Sequence, residues 1–365
     1  MKTRALTSFA GMTFFAVLGI RAQTPERKTQ EQIMTFDAPD ASGGTYPQSV
    51  NPRGEVTGYY YASNAYHGFV RDKDGSITTF DAGPTALYTY PLSINPRGEI
   101  TGAYDDASEV HGFVRAADGA ITTIDAGPHG TEAIGINPSG EITGFTFEAN
   151  IGYHGFVRDK DGTITTFDAD SPFTMPTSIN PSGEITGLTA FLNSTRTHGF
   201  VREKDGAITT FDGPNSAIPT SETIPLGISS RGEITGYYLD DRDVPRGFLR
   251  APDGAITTFE VPGAGQSGQP SGTVPSSINP SGNITGSYSD VNFRTHGFVR
   301  DSDGTITTFD APGAGTIDTY PQSINPRGEI TGSYLDASGV HGFVRKPDHH
   351  ERSKDESDDE AESPE

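Results

Sequence analysis

A histidine stands fourteen residues before an aspartate at five places along the chain, and these pairs are the residues best suited to chemistry. An imidazole beside a carboxylate can transfer protons, contribute ligands to a metal ion, or form a charge-assisted hydrogen bond that only joins two strands. The pairs are His67 with Asp81, His111 with Asp125, His154 with Asp168, His198 with Asp212, and His296 with Asp310.

A sixth copy decides between these uses, because it carries Arg246 and Glu260 in place of the histidine and the aspartate. A guanidinium group does not give up its proton in the working pH range, so Arg246 cannot act as a general base. The opposite charges nevertheless persist. The substitution therefore favours a structural pair, and we predict no catalytic role for these residues.

The pairs belong to repeats that run through most of the chain. The motif H-G-F-V-R and the motif I-N-P-x-G-E-I-T-G each occur seven times, at intervals of 42 to 50 residues. The first motif starts at His67, His111, His154, His198, Arg246, His296 and His341, and the second at Val50, Ile94, Ile136, Ile179, Ile228, Ile278 and Ile324. Such a period indicates a repeat architecture.

Each repeat predicts four short antiparallel strands. In the last copies these are residues 321–325, 329–336 and 340–345, with an I-T-T-F-D strand such as residues 306–310. N-P-x-G and D-x-D-G are tight-turn sequences, with Pro or Asp before a Gly that accepts a positive φ. Phe and Val are adjacent in H-G-F-V-R, so both faces of each sheet need apolar cover. Neighbouring units of the same kind supply that cover in a β-propeller.

The two ends of the repeat region fit together. The seventh unit lacks its I-T-T-F-D strand, while a spare copy, I-M-T-F-D-A-P, stands at residues 33–39. We therefore predict an all-β, seven-bladed β-propeller closed by residues 33–37, which pair beside residues 340–345. Closure would give His341 the partner Asp37, because Asp355, fourteen residues after His341, falls in the C-terminal tail.

Such a ring would also separate equivalent histidines by roughly 13 Å, too far to share one metal ion. We expect no metal site and no cofactor. A second repeated acid, at Glu55, Glu99, Glu141, Glu184, Glu233 and Glu329, is expected to hydrogen-bond to the neighbouring unit; a ring of acids around a cation is the alternative.

The alternation of H-G-F-V-R…G-x-I-T-T-F-D with I-N-x-x-G-E-I-T-G resembles the bacterial extracellular repeats known as the HAF family. The resemblance covers residues 33–345, and the chain differs from that family in having Gly after the His. It implies export and a repeat architecture. It implies no reaction, because the family has no settled activity.

Composition divides the rest of the chain. Residues 1–22 have two early cations and a short apolar run, which predicts a secretory signal peptide; residues 23–32 form a linker, residues 33–347 the propeller, and residues 348–365 a disordered acidic tail. We expect a secreted or periplasmic monomer without membrane insertion after signal removal. A net charge of -22 argues against a nucleic-acid partner, and with no Cys there are no disulfides.

Function is expected in the two connections of each repeat that vary, because variable loops on a rigid scaffold carry specificity. We predict a binding module for a carbohydrate or protein ligand, or else a polysaccharide lyase or hydrolase for which Asp106, Glu148 and Asp241 are nominal acids. The recurring tyrosines either pack between units or present faces to sugar rings. The ligand-binding candidates are Tyr60, Tyr61, Tyr88, Tyr104, Phe147, Glu148, Phe191, Arg196, Tyr238, Asp241, Tyr288, Arg294 and Tyr334.

Overall fold

The computed structural model describes residues 33–347, apart from residues 149–151, 192–195, 215–221, 266–271 and 314. This part of the chain contains 28 strands and no helix, so the all-β prediction is confirmed. No segment of it therefore has the helical length and hydropathy that crossing a bilayer requires. The predicted signal peptide, the linker and the acidic tail lie outside the described residues.

Four kinds of strand repeat in a fixed order. The first strands of the units are β2 (Thr45–Val50), β6 (Tyr88–Ile94), β10 (Thr131–Ile136), β14 (Phe173–Ile179), β18 (Thr223–Ile228), β22 (Gly272–Ile278) and β26 (Asp318–Ile324). The second strands are β3 (Val56–Ala62), β7 (Ile100–Asp105), β11 (Ile142–Glu148), β15 (Ile185–Ala190), β19 (Ile234–Leu239), β23 (Ile284–Ser289) and β27 (Ile330–Leu335).

The third strands carry H-G-F-V-R and the fourth carry I-T-T-F. The third strands are β4 (Ala65–Arg71), β8 (Val110–Arg115), β12 (Gly152–Arg158), β16 (Thr197–Arg202), β20 (Pro245–Arg250), β24 (Thr295–Arg300) and β28 (Val340–Arg345). The fourth strands are β1 (Ile33–Phe36), β5 (Ile77–Phe80), β9 (Ile121–Ile124), β13 (Ile164–Phe167), β17 (Ile208–Phe211), β21 (Ile256–Phe259) and β25 (Ile306–Phe309).

Hydrogen bonding joins these strands into small antiparallel sheets. Units 1 (β2–β5), 2 (β6–β9), 5 (β18–β21) and 6 (β22–β25) are separate four-stranded sheets. Units 3 (β10–β13) and 4 (β14–β17) form one eight-stranded sheet, joined by a single parallel pairing of Tyr153 with Phe173. Within each unit the order is that of the sequence, so the I-T-T-F strand is always at the edge.

The remaining sheet combines both ends of the described chain. Unit 7 has the order β26, β27, β28 and then β1. Strand β1 is antiparallel to β28, with Ile33 opposite Arg345 and Phe36 opposite Gly342. The spare N-terminal copy of I-T-T-F thus lies at the edge where the other units have their own fourth strand.

The core lies between neighbouring units. The Phe of each H-G-F-V-R motif, from Phe69 to Phe343, is fully buried, as is the first apolar residue of each second strand, from Val56 to Ile330. The Arg that ends the motif packs on the preceding unit. In unit 1, for example, Arg71 lies 4.9 Å from the ring centroid of Phe36 in unit 7. These contacts give each sheet apolar cover on both faces.

The two kinds of hairpin turn lie at the same end of the sheets. A Cβ placed on Gly98, in an N-P-R-G turn, would be 3.7 Å from Cβ of Ala117 in the x-x-D-G turn of the same unit. We call this the turn face. The connections of variable length lie at the opposite end, which we call the loop face.

Candidate functional site

On the loop face, the structure brings together every predicted pair of opposite charges. Nδ1 of His67, His111, His154, His198 and His296 each lies 2.7 Å from Oδ1 of the aspartate fourteen residues later. An Arg246 guanidinium nitrogen lies 2.6 Å from Glu260 Oε2. His341 Nδ1 lies 2.9 Å from Asp37 Oδ1, so the partner comes from β1.

A second acid, which sequence reasoning missed, contacts the other side of most of these basic groups. Glu148 Oε2 lies 2.7 Å from His154 Nε2, and Asp240 Oδ2 lies 2.9 Å from Arg246. The same position is filled by Asp106 for His111, Asp290 for His296 and Asp336 for His341, at 3.3 to 3.7 Å. The sequence signal was an acid five or six residues before the basic residue.

The acids on either side of His111, His154 and His296 raise the pKa of these histidines. The hydrogen bond to Asp310, assisted by the charge of Asp290, raises the pKa of His296 against the effect of burial. For His111 and His154, burial is the largest influence and lowers the pKa, but the surrounding carboxylates together outweigh it and raise the pKa. The raised pKa favours the cationic form of these histidines, and carboxylates on both sides suit a structural crosslink better than proton transfer.

Five predicted ligand-binding tyrosines are packed instead against these pairs. The rings of Tyr60, Tyr104, Tyr288 and Tyr334 lie 5.0 to 5.4 Å from the imidazole of their own unit, and the hydroxyl group of Tyr104 is 3.1 Å from Thr123 Oγ1. Tyr60, Tyr104, Tyr238 and Tyr334 are buried, and Tyr288 is half-buried. Of the two alternatives for these tyrosines, their burial agrees with packing and not with an exposed sugar-binding rim, so they are not ligand-binding residues of that kind.

Other predicted ligand residues are dispersed over the loop face. Phe191 is 49% exposed beside His198, and Arg196 pairs with Asp212 Oδ2 at 2.8 Å. Arg294 donates to the backbone carbonyls of Thr316 and Ile317, while Asp241 is exposed in the turn after β19. Because Asp106 and Glu148 also serve as the second acids of separate units, the nominal acids do not converge on one centre.

A group of tyrosines does converge, between units 1 and 2. This tyrosine cluster consists of Tyr46, Tyr59, Tyr61, Tyr66, Tyr88 and Tyr90. Tyr59 is buried at its centre, with ring centroids of Tyr46, Tyr66 and Tyr90 5.2 to 5.5 Å away. Tyr61 and Tyr88 lie on either side of Tyr66, at 5.0 and 6.2 Å, and all three are partly exposed.

Burial keeps the hydroxyl groups of Tyr59 and Tyr90 neutral. It raises the pKa of Tyr59 and of Tyr90 far above the ordinary value, and the neighbouring tyrosines add to the effect. Neutral phenols both donate and accept hydrogen bonds, and their rings offer apolar faces. Of the predicted candidates, only Tyr61 and Tyr88 belong to this cluster.

Glu132 lies next to this cluster at the start of β10. It occupies the position held by Tyr46 and Tyr90 in the first two units, and its charge acts on Tyr90. The side chain is 5% exposed, and its carboxyl group makes no hydrogen bond to any described residue. Burial raises its pKa to about 7. Sequence reasoning missed Glu132, although an acid at an otherwise apolar or aromatic repeat position was the available signal.

A second aromatic group lies between units 3 and 4. Phe147, another predicted ligand residue, contacts Phe145 and Tyr153, with ring centroids 5.3 to 5.5 Å apart, and Tyr153 also contacts Phe173. Phe145 packs further against Met175 and Leu188. This group fills the space between the two units that share a sheet, so Phe147 is a packing residue.

The repeated glutamates differ from their predicted role. Glu55 Oε2 accepts hydrogen bonds from Asn51 and Arg53 of its own turn, and it is Asn51 that reaches the next unit, through the carbonyl of Asn95. Among the described residues, no three His, Cys, Asp or Glu side chains are arranged to hold a metal ion.

Comparison with known proteins identifies the fold. No protein-family model and no curated protein matches the chain. Virginiamycin B lyase from Staphylococcus aureus aligns with a TM-score of 0.55 and 15% identity, over 87% of this chain and 99% of that one. An oligogalacturonate lyase in complex with manganese aligns with a TM-score of 0.62 and 10% identity, over 87% and 93% of the two chains. These structures are β-propellers, and at such identities the likeness shows the fold alone.

Proposed function

We propose that the chain is an exported, closed seven-bladed β-propeller that binds a carbohydrate or protein ligand through its loop face. Closure is supported by the place of β1 in unit 7 and by the contacts between first strands, which run from β2 through β6, β10, β14, β18 and β22 to β26 and back to β2. Export rests on the character of residues 1–22.

The tyrosine cluster is the observation that carries the binding function. The partly exposed rings of Tyr61, Tyr66 and Tyr88 lie together at the loop face, above the buried Tyr59. Because Tyr59 and Tyr90 lie beneath them, these rings are fixed before a ligand arrives, and little side-chain entropy is lost on binding. Flat apolar faces next to hydroxyl groups suit the stacking of a sugar ring with hydrogen bonds at its edge. We therefore favour a carbohydrate.

The test is a glycan array with the purified chain, followed by titration of the best saccharide into variants. Tyr88→Ala should weaken binding at least tenfold, about 1.4 kcal/mol, because it removes an exposed ring. Tyr66→Phe should retain most of the affinity, since the ring remains. Phe191→Ala is the matched control, because it removes an exposed aromatic ring from unit 4 on the same face. Equal losses in Tyr88→Ala and Phe191→Ala would contradict this site.

An enzyme on the same face, a polysaccharide lyase or a hydrolase, is the second candidate, and Glu132 favours it. An unpartnered buried carboxyl group with a pKa near 7 can hold or release a proton at neutral pH, as a general acid or base must. Any saccharide that binds should be incubated with the wild type and with Glu132→Gln. Turnover that survives Glu132→Gln would exclude Glu132 as the catalytic group.

A further inference from the structure

A cavity of about 170 Å³ lies on the turn face between units 2 and 3, away from the tyrosine cluster. Its lining includes Arg97 and Glu99 from the N-P-R-G turn of unit 2, and Arg158 and Lys160 from the outer hairpin of unit 3. A water molecule takes up about 30 Å³, so the cavity has room for a small oxyanion or a carboxylate group.

The charge of this lining is opposite to that of the chain. Glu99 is the one acid among the described lining residues, and both Nε and a terminal nitrogen of Arg97 bind its Oε2, at 3.0 and 2.6 Å. Arg158 and Lys160 make no ion pair with any described residue. The lining therefore has two positive charges outside any ion pair, although Lys160 also acts electrostatically on the neighbouring Asp161, in a chain whose net charge is -22.

Departures from the repeat produce this surplus. The outer hairpin of unit 2 has Ala116 where other units have Asp72, Asp159, Glu203 and Asp301, so an acid that would face the cavity is missing. One unit further on, Lys204 of unit 4 lies 3.6 Å from Glu141 of unit 3, where Ser139 replaces the turn arginine. In unit 2 the acid that corresponds to Glu141 is Glu99, and Arg97 binds it. Lys160, which corresponds to Lys204, therefore has no ion-pair partner among the described residues.

A second departure leaves Arg158 without an aromatic neighbour. Six arginines of the H-G-F-V-R series lie 4.9 to 5.0 Å from the ring centroid of a phenylalanine in the preceding unit. Unit 2 carries Ile124 at that position, so Arg158 has no ring beneath it. Its guanidinium group is available to an anion, which it can bind through two hydrogen bonds.

We propose that this cavity is a binding site for a single oxyanion or carboxylate, held by Arg158 and Lys160 with Thr122 as a hydroxyl donor. The ligand is either a free anion or an acidic group on a saccharide. The site is independent of the tyrosine cluster, because it lies at the opposite end of the sheets. Tyr88→Ala, which is expected to weaken saccharide binding at the tyrosine cluster, should therefore bind the anion as tightly as the wild type does.

The experiment is isothermal titration with sodium sulfate, balanced with sodium chloride to constant ionic strength. Wild type should show one saturable site. Arg158→Gln and Ala116→Asp should each weaken it at least tenfold, the second by restoring the acid that four other units carry. Ala251→Asp is the matched control, because unit 5 also has alanine at this position but has Phe259 beneath Arg300 of the next unit. Thermal unfolding verifies that each variant folds.

Two results would overturn the proposal. One is the absence of saturable binding to wild type, and the other is an equal loss in Ala251→Asp and Ala116→Asp, which would show a general effect of charge. Parallel titrations with acetate and glucuronate separate the two sources of the anion. Tighter binding of glucuronate identifies a saccharide as the carrier, and equal affinity identifies the free anion; both support the site.

Discussion

At the residue scale, the paired charges show what repetition in a sequence can and cannot reveal. The partners Arg246 and Glu260 were predictable because a hairpin places residues at a constant separation opposite each other. The second acids were not predicted, since Asp106 and Glu148 stand five and six residues before their histidines, and the connections between them differ in length. Glu132 was missed for another reason: its strand β10 packs against strands of both neighbouring units, and the sequence of one unit does not show that packing.

Stability should depend on pH through His296. A raised folded pKa makes the contribution of this pair fully present below about pH 6.5, the unfolded value, and lost as pH rises through the folded value. Asp310→Asn should therefore destabilise more at pH 5.5 than at pH 9, by less than about 1 kcal/mol because Asp310 is half exposed. Urea unfolding at both pH values measures this.

The chain supplies a control for that experiment. Glu260→Gln removes the acid of the equivalent pair, whose basic partner is an arginine and stays charged throughout this range. Its cost should be the same at both pH values. A similar pH dependence in Glu260→Gln would mean that another group is responsible.

Asp37 and His341 give a test of the link between the two ends of the described chain. Their side chains are 2.9 Å apart, so the double variant Asp37→Ala with His341→Ala should cost less than the sum of the single variants, by about 0.5 to 1 kcal/mol. Chemical unfolding of all four proteins measures the coupling. Asp355→Ala should have no effect, and additive single costs would speak against the pairing.

At the element scale, turn residues and alternating apolar residues were sufficient to predict strand positions. The last unit was expected at residues 321–325, 329–336 and 340–345, and its strands are Asp318–Ile324, Ile330–Leu335 and Val340–Arg345. The first strand begins earlier because Asp318 and Thr319 are buried and pair with β27. The stacking of arginine on phenylalanine between sheets was not predicted, because those residues are distant in sequence and belong to different sheets.

Arginine stacking should contribute measurably where a ring is present. Arg115→Met combined with Phe80→Ile should show a coupling of about 0.5 to 1 kcal/mol, since the guanidinium lies 4.9 Å from the ring centroid. Arg158→Met with Ile124→Val, at the position that has no ring, should show a coupling near zero. Equal coupling at both positions would attribute the effect to packing rather than to the ring.

At the scale of the whole molecule, asparagine side chains link the units on the turn face. Nδ2 of Asn51, Asn95, Asn137, Asn180, Asn279 and Asn325 each donates to the backbone carbonyl of the equivalent residue in the next unit, and Asn325 donates to Asn51. Unit 5 breaks the series, because Ser229 is too short to reach Asn279. The sequence predicted these asparagines as turn residues, and their second role depends on the curvature that sets neighbouring units side by side.

Asn325→Ala should destabilise the chain by about 1 to 3 kcal/mol, because the buried carbonyl of Asn51 and the partly buried amides of Arg327 and Glu329 lose a partner. Asn325→Ser should cost less, since Ser229 shows that a hydroxyl group can still accept from its own turn. Ser229→Asn should stabilise by supplying the missing link. Thermal unfolding ranks the three variants, and a neutral Asn325→Ala would show that these links carry no stability.

The pairing of β1 with β28 also determines the order in which the protein can fold during synthesis. His341 lies 304 residues after Asp37, so the first strand to leave the ribosome completes the last unit to be made. Units 1 to 6 contain all four of their strands and can form in sequence, whereas β1 has no partner until translation reaches β28. Because contacts so distant in sequence form slowly, completion of unit 7 is expected to be the late step of folding. Until then, β28 has an unpaired edge, so unit 7 cannot be completed before translation has passed residue 345.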